Sequence, residues 1–379
     1  MSDHEANNPP SRQPKRFDVL VVGAGPAGCA AAQVLAKSGQ SVLVIEQSLR
    51  HHPRIGETVP PVANDLLRKL GVFPNMATAG HLPSFSTKMA WGSEQLISRD
   101  FMYEPFGHGW QLDRRRFERD LADAARRCGA KFVYATGVSR RVERRNGSWQ
   151  VCLASPKNYS QVQCKWIVDA TGRSSAIARA LGARRKRIDE LVCEFTILKQ
   201  SDQTAADHDA STLVESCPNS WWYTARIPNG RRVVAWLTDA DILRSQSCAP
   251  QVAFANALAN TTHLISILKS CDYRTTSHVH CKSACSSRLD PWVGDGWVTV
   301  GDSAFSLDPL SSQGIFHALA SAIVAAEAII DSGKKGTNAI VDYCASLEQA
   351  WSNYKVQRRD YYRVENRWPN ECFWKRRQE

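Results

Sequence analysis

The 379-residue chain has no Cys-x-x-Cys pair among its twelve cysteines. This removes the usual sequence sign of a zinc ribbon or a thiol–disulfide exchange centre. It also lacks a clean apolar run of membrane-spanning length. Of the two most apolar stretches, 17–36 is broken by glycines and 315–330 carries His317 and Glu327, so no membrane span is expected. Residues 1–16 are polar, contain Pro9-Pro10 and hold no apolar leader core. They read as a disordered tail, with a cytoplasmic location and free buried thiols expected in place of a disulfide framework. There is no low-complexity tract and no fixed internal period, which excludes solenoids, propellers and rods. Nor is there a basic run interleaved with aromatics or a known binding module, so nucleic acid is not an expected partner.

What is present is an ordinary globular composition, 43% hydrophobic and 22% charged, in a chain long enough for one large core or two modest ones. The formal charge is +11, from 48 basic and 37 acidic residues, with arginine runs at 114–116, 140–141, 144–145 and 184–187. Such a surface can serve solubility alone, or it can meet an acidic partner or a negatively charged cofactor. The tightest group of potential metal ligands is His278, His280, Cys281 and Cys285. The alternation around it reads as a packed strand, with a metal site as the alternative, and no metal is expected.

Residues 17–22 form a short, largely apolar, β-prone run followed at once by Gly23-Ala24-Gly25-Pro26-Ala27-Gly28. An alanine-rich helical stretch over 29–38 is stopped by Gly39, and a second buried strand, 42–45, ends in Glu46. This is a complete βαβ unit for binding a dinucleotide. Gly23 permits the tight turn, Gly25 lets a pyrophosphate approach the backbone and Gly28 lets helix and strand pack closely. The helix N-terminus offers unpaired N–H groups to phosphate, and Glu46 stands where an acid would hold ribose hydroxyls. By itself the unit does not separate FAD from NAD.

Three further motifs resemble those of the flavoprotein family typified by p-hydroxybenzoate hydroxylase. Gln111-Leu112-Asp113-Arg114 opens a helix, as in the family segment whose arginine contacts the FAD diphosphate. Ile167-Val168-Asp169-Ala170-Thr171-Gly172-Arg173 is an apolar strand ending in a glycine turn, and Val298-Thr299-Val300-Gly301-Asp302-Ser303-Ala304 resembles the family segment whose aspartate holds the ribityl chain. The resemblance implies non-covalent FAD, with contacts from Gly23, Gly25, Pro26, Ala27, Gly28, Glu46, Gln47, Arg54, Arg114, Val138, Asp169, Gly172, Asp302, Pro309, Gly314 and Ile315. It also implies that the helix after Asp308-Pro309-Leu310-Ser311-Ser312-Gln313-Gly314 points its dipole at the pyrimidine end of the flavin, favouring charge on the reduced ring.

Within the family, Arg54-Ile55-Gly56-Glu57-Thr58-Val59-Pro60-Pro61 and the 308–314 segment are similar to the branch of tryptophan halogenases and geranylgeranyl reductases. That branch's halogenases carry a WxWxIP motif. Here Trp221-Trp222-Tyr223-Thr224-Ala225-Arg226-Ile227-Pro228 keeps Ile227 and Pro228 but has Tyr223 and Ala225 where tryptophan is expected. Lys88 falls near the halogenases' catalytic lysine. The aromatic and arginine pattern of Tyr354, Arg358, Tyr361-Tyr362, Arg367-Trp368 and Phe373-Trp374, with Ala90-Trp91-Gly92-Ser93, is similar to the flavoproteins that mature tryptophylquinone oxidases and dehydrogenases.

The expected fold is α/β, with α+β character in the substrate part. A discontinuous Rossmann-type FAD domain (17–70, 109–182, 272–331) receives an antiparallel-sheet substrate domain (71–108, 183–271), and a helical segment ends the chain (332–379). The implied activity is FAD-dependent monooxygenation of an aromatic ring through a flavin C4a-hydroperoxide, on a peptidyl tryptophan of an acidic quinoprotein precursor. Dioxygen is the co-substrate, and electrons come from NAD(P)H or a separate reductase. Halogenation of an aromatic substrate, isoprenoid reduction and a non-catalytic flavin-bound assembly role are the alternatives. Glu57 and Lys88 are the candidate catalytic side chains.

Overall fold

A computed structural model describes residues 14–48, 55–156, 159–276, 278–335 and 338–378. The expected tail lies almost wholly outside these residues, as does Arg54. The N-terminal βαβ unit forms as its sequence dictates: strand Lys15–Val22, helix Pro26–Lys37, strand Val42–Glu46. The two strands run parallel, Leu20 opposite Leu43, and on its other side Lys15–Val22 pairs in parallel with Tyr159–Asp169. Lys131–Tyr134 extends the parallel sheet at one side and Trp297–Thr299 at the other. The near-continuous apolar runs of these strands suit a sheet covered on both faces. Gly23 sits at φ 107°, and a Cβ on it would lie 2.3 Å from the Ala170 carbonyl oxygen. On Gly28 a Cβ would lie 1.9 Å from the Gly23 oxygen, so both glycines are fixed by close packing.

The apolar stretch near residue 315 is the core helix Gly314–Lys335. It is long and apolar enough to cross a membrane, but 56% of its apolar window is buried inside the protein. Its polar residue His317 stacks on Phe305 with ring centroids 4.0 Å apart, and its Nε2 lies 3.2 Å from the Gly301 carbonyl oxygen. Burial holds this imidazole below its ordinary pKa.

A second sheet has eight strands. Leu191–Gln200, Arg231–Asp239, Ser220–Ile227 and Thr212–Cys217 are antiparallel neighbours, and Ser86–Ala90 joins Thr212–Cys217 in parallel. Strand alternation sends the adjacent Trp221 and Trp222 to opposite faces. Trp222 packs with Trp236, Phe254 and Leu264 beneath the helices Pro250–Ala259 and His263–Ser270. Trp221 packs with Trp91, Tyr362, Phe373 and Trp374. Two strands expected in the FAD part, Tyr273–Thr275 and His280–Ser283, instead pair with Leu191–Gln200 and enlarge this sheet. Their partner is distant in sequence, and no local pattern announces it. The run Arg184–Arg187 forms a small sheet with Ser287–Asp290 and Phe305–Ser306.

The helices Asn338–Val364 and Cys372–Gln378 end the described chain. Of the aromatics in this segment, Tyr354, Tyr362, Phe373 and Trp374 are buried. They clamp the terminus onto both sheets. Trp374 Nε1 donates to the Cys217 carbonyl at 3.0 Å, and Arg377 forms a buried ion pair with Asp239. Tyr343 donates to the Thr299 carbonyl at 2.6 Å. Tyr343→Phe deletes only that hydroxyl, so an expected loss of about 1 kcal/mol of unfolding free energy checks this anchor by urea denaturation. All twelve cysteines are unpaired.

Candidate active site

A cleft of about 800 Å³ runs along the C-terminal ends of the parallel strands and reaches the antiparallel sheet. At one end lie Gly23, Gly25, Pro26 and Ala27. Gly25 is the N-cap of helix Pro26–Lys37, with no side-chain cap and no acid in the first turn, so the helix presents unneutralised N–H groups to the cleft. Glu46 stands across from them, its Oε2 accepting from Ala24 N at 2.8 Å and its Oε1 from Ser48 N at 3.0 Å. Gln47 and Val138 flank it. Gly28 is not at the wall and serves packing alone.

Midway lie Gly56, Arg114, Thr171, Gly172, Arg173 and Asp302. The fork of Arg114 is largely engaged by protein: Nη1 donates to the carbonyls of Ile55 and Gly56 and Nη2 to Glu118 at 2.8 Å. Among the described residues its buried Nε has no partner. Arg114 therefore fastens the 55–57 loop, and Nε is the donor left for a ligand. Asp302 lies in the turn Gly301–Ser303, 3.5 Å from Arg173 Nε. Asp169, expected to touch cofactor, is fully buried beneath the wall instead. Its Oδ2 accepts from Ile177 N and Ala178 N, starting the helix Ala176–Ala180, and its Oδ1 accepts from Thr171. The neighbours Ala170, Thr171 and Gly172 form the surface in its place.

At the far end, Pro309, Gly314 and Ile315 bring a second helix N-terminus to the cleft, again with no acid in its first turn. Asp308 is buried, accepting from Leu310 N at 3.0 Å and from the Tyr362 hydroxyl at 2.9 Å. It ties the terminal helices to the cleft floor. Opposite stand residues of the antiparallel sheet: Cys193, Tyr223, Lys282 and Ser283. Of these only Tyr223 carried a signal in the sequence, as a departure from a motif. The others enter through long-range pairing, Cys193 being registered against Lys282.

Glu57 is buried directly behind this wall. Its Oε2 accepts from Gly56 N at 2.9 Å, and the nearby Tyr223 hydroxyl favours its charged form. Burial pushes its carboxyl up to about 7, against the opposing pull of the Arg114 guanidinium. The Tyr223 oxygen lies 3.0 Å from Thr58 Oγ1, which donates to Gln111 Oε1 at 2.8 Å. Lys88 is elsewhere. It lies on Ser86–Ala90 with its Nζ 2.6 Å from Asp209 Oδ2, and it is not part of the cleft wall. The structure thus brings Glu57 close to the cleft and leaves Lys88 apart.

Two helix N-termini bare of acids, glycines where a close ligand needs room and a buried guanidinium donor fit a long, doubly phosphorylated cofactor such as FAD. Among the described residues, no group of three or more His, Cys, Asp or Glu side chains is arranged to hold a metal ion.

Residues 16–343 match the FAD binding domain family. LodB of Marinomonas mediterranea, whose name assigns it to the FAD-dependent oxidoreductases, is 30% identical over 95% of this chain and 96% of its own. A peptidyl tryptophan dihydroxylase essential for tryptophylquinone cofactor biogenesis, QhpG, superposes with a TM-score of 0.75 at 27% identity, over 96% of this chain and 79% of its own. The myxobacterial chondrochloren halogenase CndH shares the fold, with a TM-score of 0.88 at 20% identity over 96% of this chain and 86% of its own. The chain belongs to the FAD binding domain family and is an FAD-dependent enzyme, with FAD-dependent oxidoreductases, halogenases and geranylgeranyl reductases as its relatives.

Proposed function

We propose that the protein is a monooxygenase that hydroxylates an aromatic ring, a tryptophan side chain within an acidic protein substrate, during maturation of a tryptophylquinone enzyme. The observation that carries this reading is the 27% identity to a peptidyl tryptophan dihydroxylase along 96% of the chain. Tyr223 and Ala225 at the tryptophan positions of the halogenase motif support it, as does the engagement of Lys88 by Asp209. Non-covalent FAD, once reduced by NAD(P)H or a separate reductase, supplies the activation of dioxygen. The chain's own part is to hold the flavin between the two helix N-termini and to present the indole against the antiparallel sheet. Tyr223 and Glu57 can pass a proton through the wall, since a carboxyl near 7 exchanges protons readily at neutral pH. The domains are the discontinuous FAD part and the inserted sheet, and the enzyme works in the cytoplasm.

The test is oxygen uptake by the reduced flavoprotein with a quinoprotein precursor. Uptake is expected to rise with the precursor and not with free tryptophan, with oxygen added to the precursor's tryptophan by mass spectrometry. Turnover of free tryptophan with no effect of any precursor defeats the protein-substrate reading. Because the fold is also that of a halogenase, the second reading is halogenation. No chlorine or bromine is expected in the product when halide is supplied, and a halogenated indole would establish the second reading instead.

A further inference from the structure

The strand His280–Ser283 lies at an edge of the antiparallel sheet. It pairs with Leu191–Gln200 on one side only, and Cys281, Lys282 and Ser283 are exposed. The next residue, Ala284, donates its N–H to the Leu191 carbonyl at 2.9 Å. Antiparallel alternation then turns the peptide groups of His280 and Lys282 inward to the same partner strand, and those of Cys281 and Ser283 outward. Farther along the chain this outward side is filled. Ser287 and Arg288 pair with Phe305–Ser306, and the Cys285 carbonyl accepts from Arg173 Nη1 and Ser306 Oγ. The filling ends there because the covering chain turns away at Pro309–Ser311. Among the described residues no strand pairs with the outward side of 281–283.

This open stretch borders the flavin cleft. Lys282, Ser283 and Ala284 line the cleft together with Cys193, the residue registered against Lys282. The strand at the sheet's other end, Ile97–Asp100, does not line it. A strand added to 281–283 would lie about 4.8 Å away and send alternate side chains to opposite faces. Those on the face of Cys193 and Lys282 enter the cleft, so an added strand carries a side chain to the cofactor while its backbone stays outside. Main-chain bonds give affinity in this mode, and alternate side chains give selectivity. Charge selects the partner. Among the described residues no carboxylate pairs with Lys282, Arg184 or Lys186. Arg184 and Lys186 are exposed on Arg184–Arg187, which pairs with Ser287–Asp290 just beyond the open stretch. An acid directly across from Lys282 answers its charge. Ala284, on the same face, leaves the adjoining position room for a large ring.

We propose that 281–283 is a docking edge, to which an extended segment of the acidic protein substrate adds as an antiparallel strand. A carboxylate of that segment stands across from Lys282, and the target aromatic ring, two residues before it, sits beside Ala284. The proposal rests on the protein-substrate reading, and binding is measured apart from turnover. The experiment is fluorescence anisotropy of the FAD-loaded full chain with a labelled, end-blocked, threonine-rich peptide containing Trp-Thr-Asp. Saturable binding is expected. Methylating the backbone nitrogen of the threonine between tryptophan and aspartate removes the donor facing the Ser283 carbonyl and is expected to weaken binding about tenfold. Cys281→Pro removes an outward donor at an edge position that tolerates proline, and is expected to weaken binding by a similar factor with flavin content unchanged. Lys282→Glu is expected to weaken it about tenfold and to be rescued by a peptide with lysine in place of aspartate. No binding to the wild type, or binding indifferent to the methyl group and to Cys281→Pro, overturns the proposal. Precursor-stimulated oxygen uptake that is unchanged in Cys281→Pro and Lys282→Glu also overturns it, while leaving the protein-substrate reading in place. All three effects on peptide binding, in a protein whose oxygen uptake ignores every precursor, uphold the edge and remove only the reading of its occupant as a substrate.

Discussion

Gly25→Val is expected to give a folded protein that retains no FAD. Gly25 has φ −75° and ψ −176°, a conformation open to any residue, so valine adds no backbone strain. The position nonetheless lines the cleft at the N-cap of helix Pro26–Lys37. A branched side chain there fills the space in which phosphate oxygens must approach the first-turn N–H groups. Gly23 and Gly28 make a useful contrast. Each would drive a Cβ into backbone, within 2.3 Å of the Ala170 oxygen or 1.9 Å of the Gly23 oxygen, so substitutions there confound loss of flavin with loss of fold. The check is the ratio of FAD to protein after gel filtration, with far-ultraviolet circular dichroism to confirm the fold. A stoichiometric yellow Gly25→Val protein would show that the pyrophosphate lies elsewhere. Release of FMN in place of FAD from the acid-denatured wild type would remove the cofactor assignment itself.

How much of this was legible in the sequence depended on how local each feature is. The βαβ unit could be read because strand, turn, helix and second strand are contiguous, and because Gly23, Gly25 and Gly28 have separate steric reasons to be glycine. Trp221 and Trp222 stand on opposite faces of one strand and are covered by different elements, which their adjacency in the sequence does not announce. Asp169 shows the limit. Its motif correctly marked a strand end beside the cleft, but the carboxylate turns inward to satisfy the amides of Ile177 and Ala178, a need visible only once the following helix is placed. Lys88 shows another, since its partner Asp209 is 121 residues away. Cys193 and Lys282 reach the cleft through strand pairing across a comparable distance, and no short pattern encodes that. Arg114 to Arg116 read as a charge run, and nothing in the sequence placed Arg115, Arg116, Arg119 and Arg126 around one cavity with Pro228-Asn229.

Glu57→Gln is expected to change how stability depends on pH. The folded protein raises this carboxyl from 4.5 to about 7, and burial is the largest cause. The folded state then binds the Glu57 proton more tightly than the unfolded chain does. Stability from this group is therefore present at low pH, falls as pH rises from about 4.5 to about 7, and is level above that. The span corresponds to a loss on the order of 3 kcal/mol. Glutamine keeps the shape and remains neutral, so the variant lacks this descending term. It is also expected to exceed the wild type in unfolding free energy at pH 8, since the wild type there buries a carboxylate. Other groups titrate alike in both proteins, so the wild-type-minus-variant difference in urea unfolding, followed from pH 5 to pH 8 at equal flavin loading, isolates Glu57. Parallel curves would mean that the carboxyl is not buried as described. A second reading of the same pair comes from activity. If Glu57 handles a proton through Tyr223, the limb near pH 7 in kcat/KM disappears in Glu57→Gln and moves in Tyr223→Phe, which removes the hydroxyl that favours the charged carboxylate. A stability effect without any change in that limb would leave Glu57 as a fastener of the 55–57 loop beside Arg114, and would place the proton transfer on another group of the cleft.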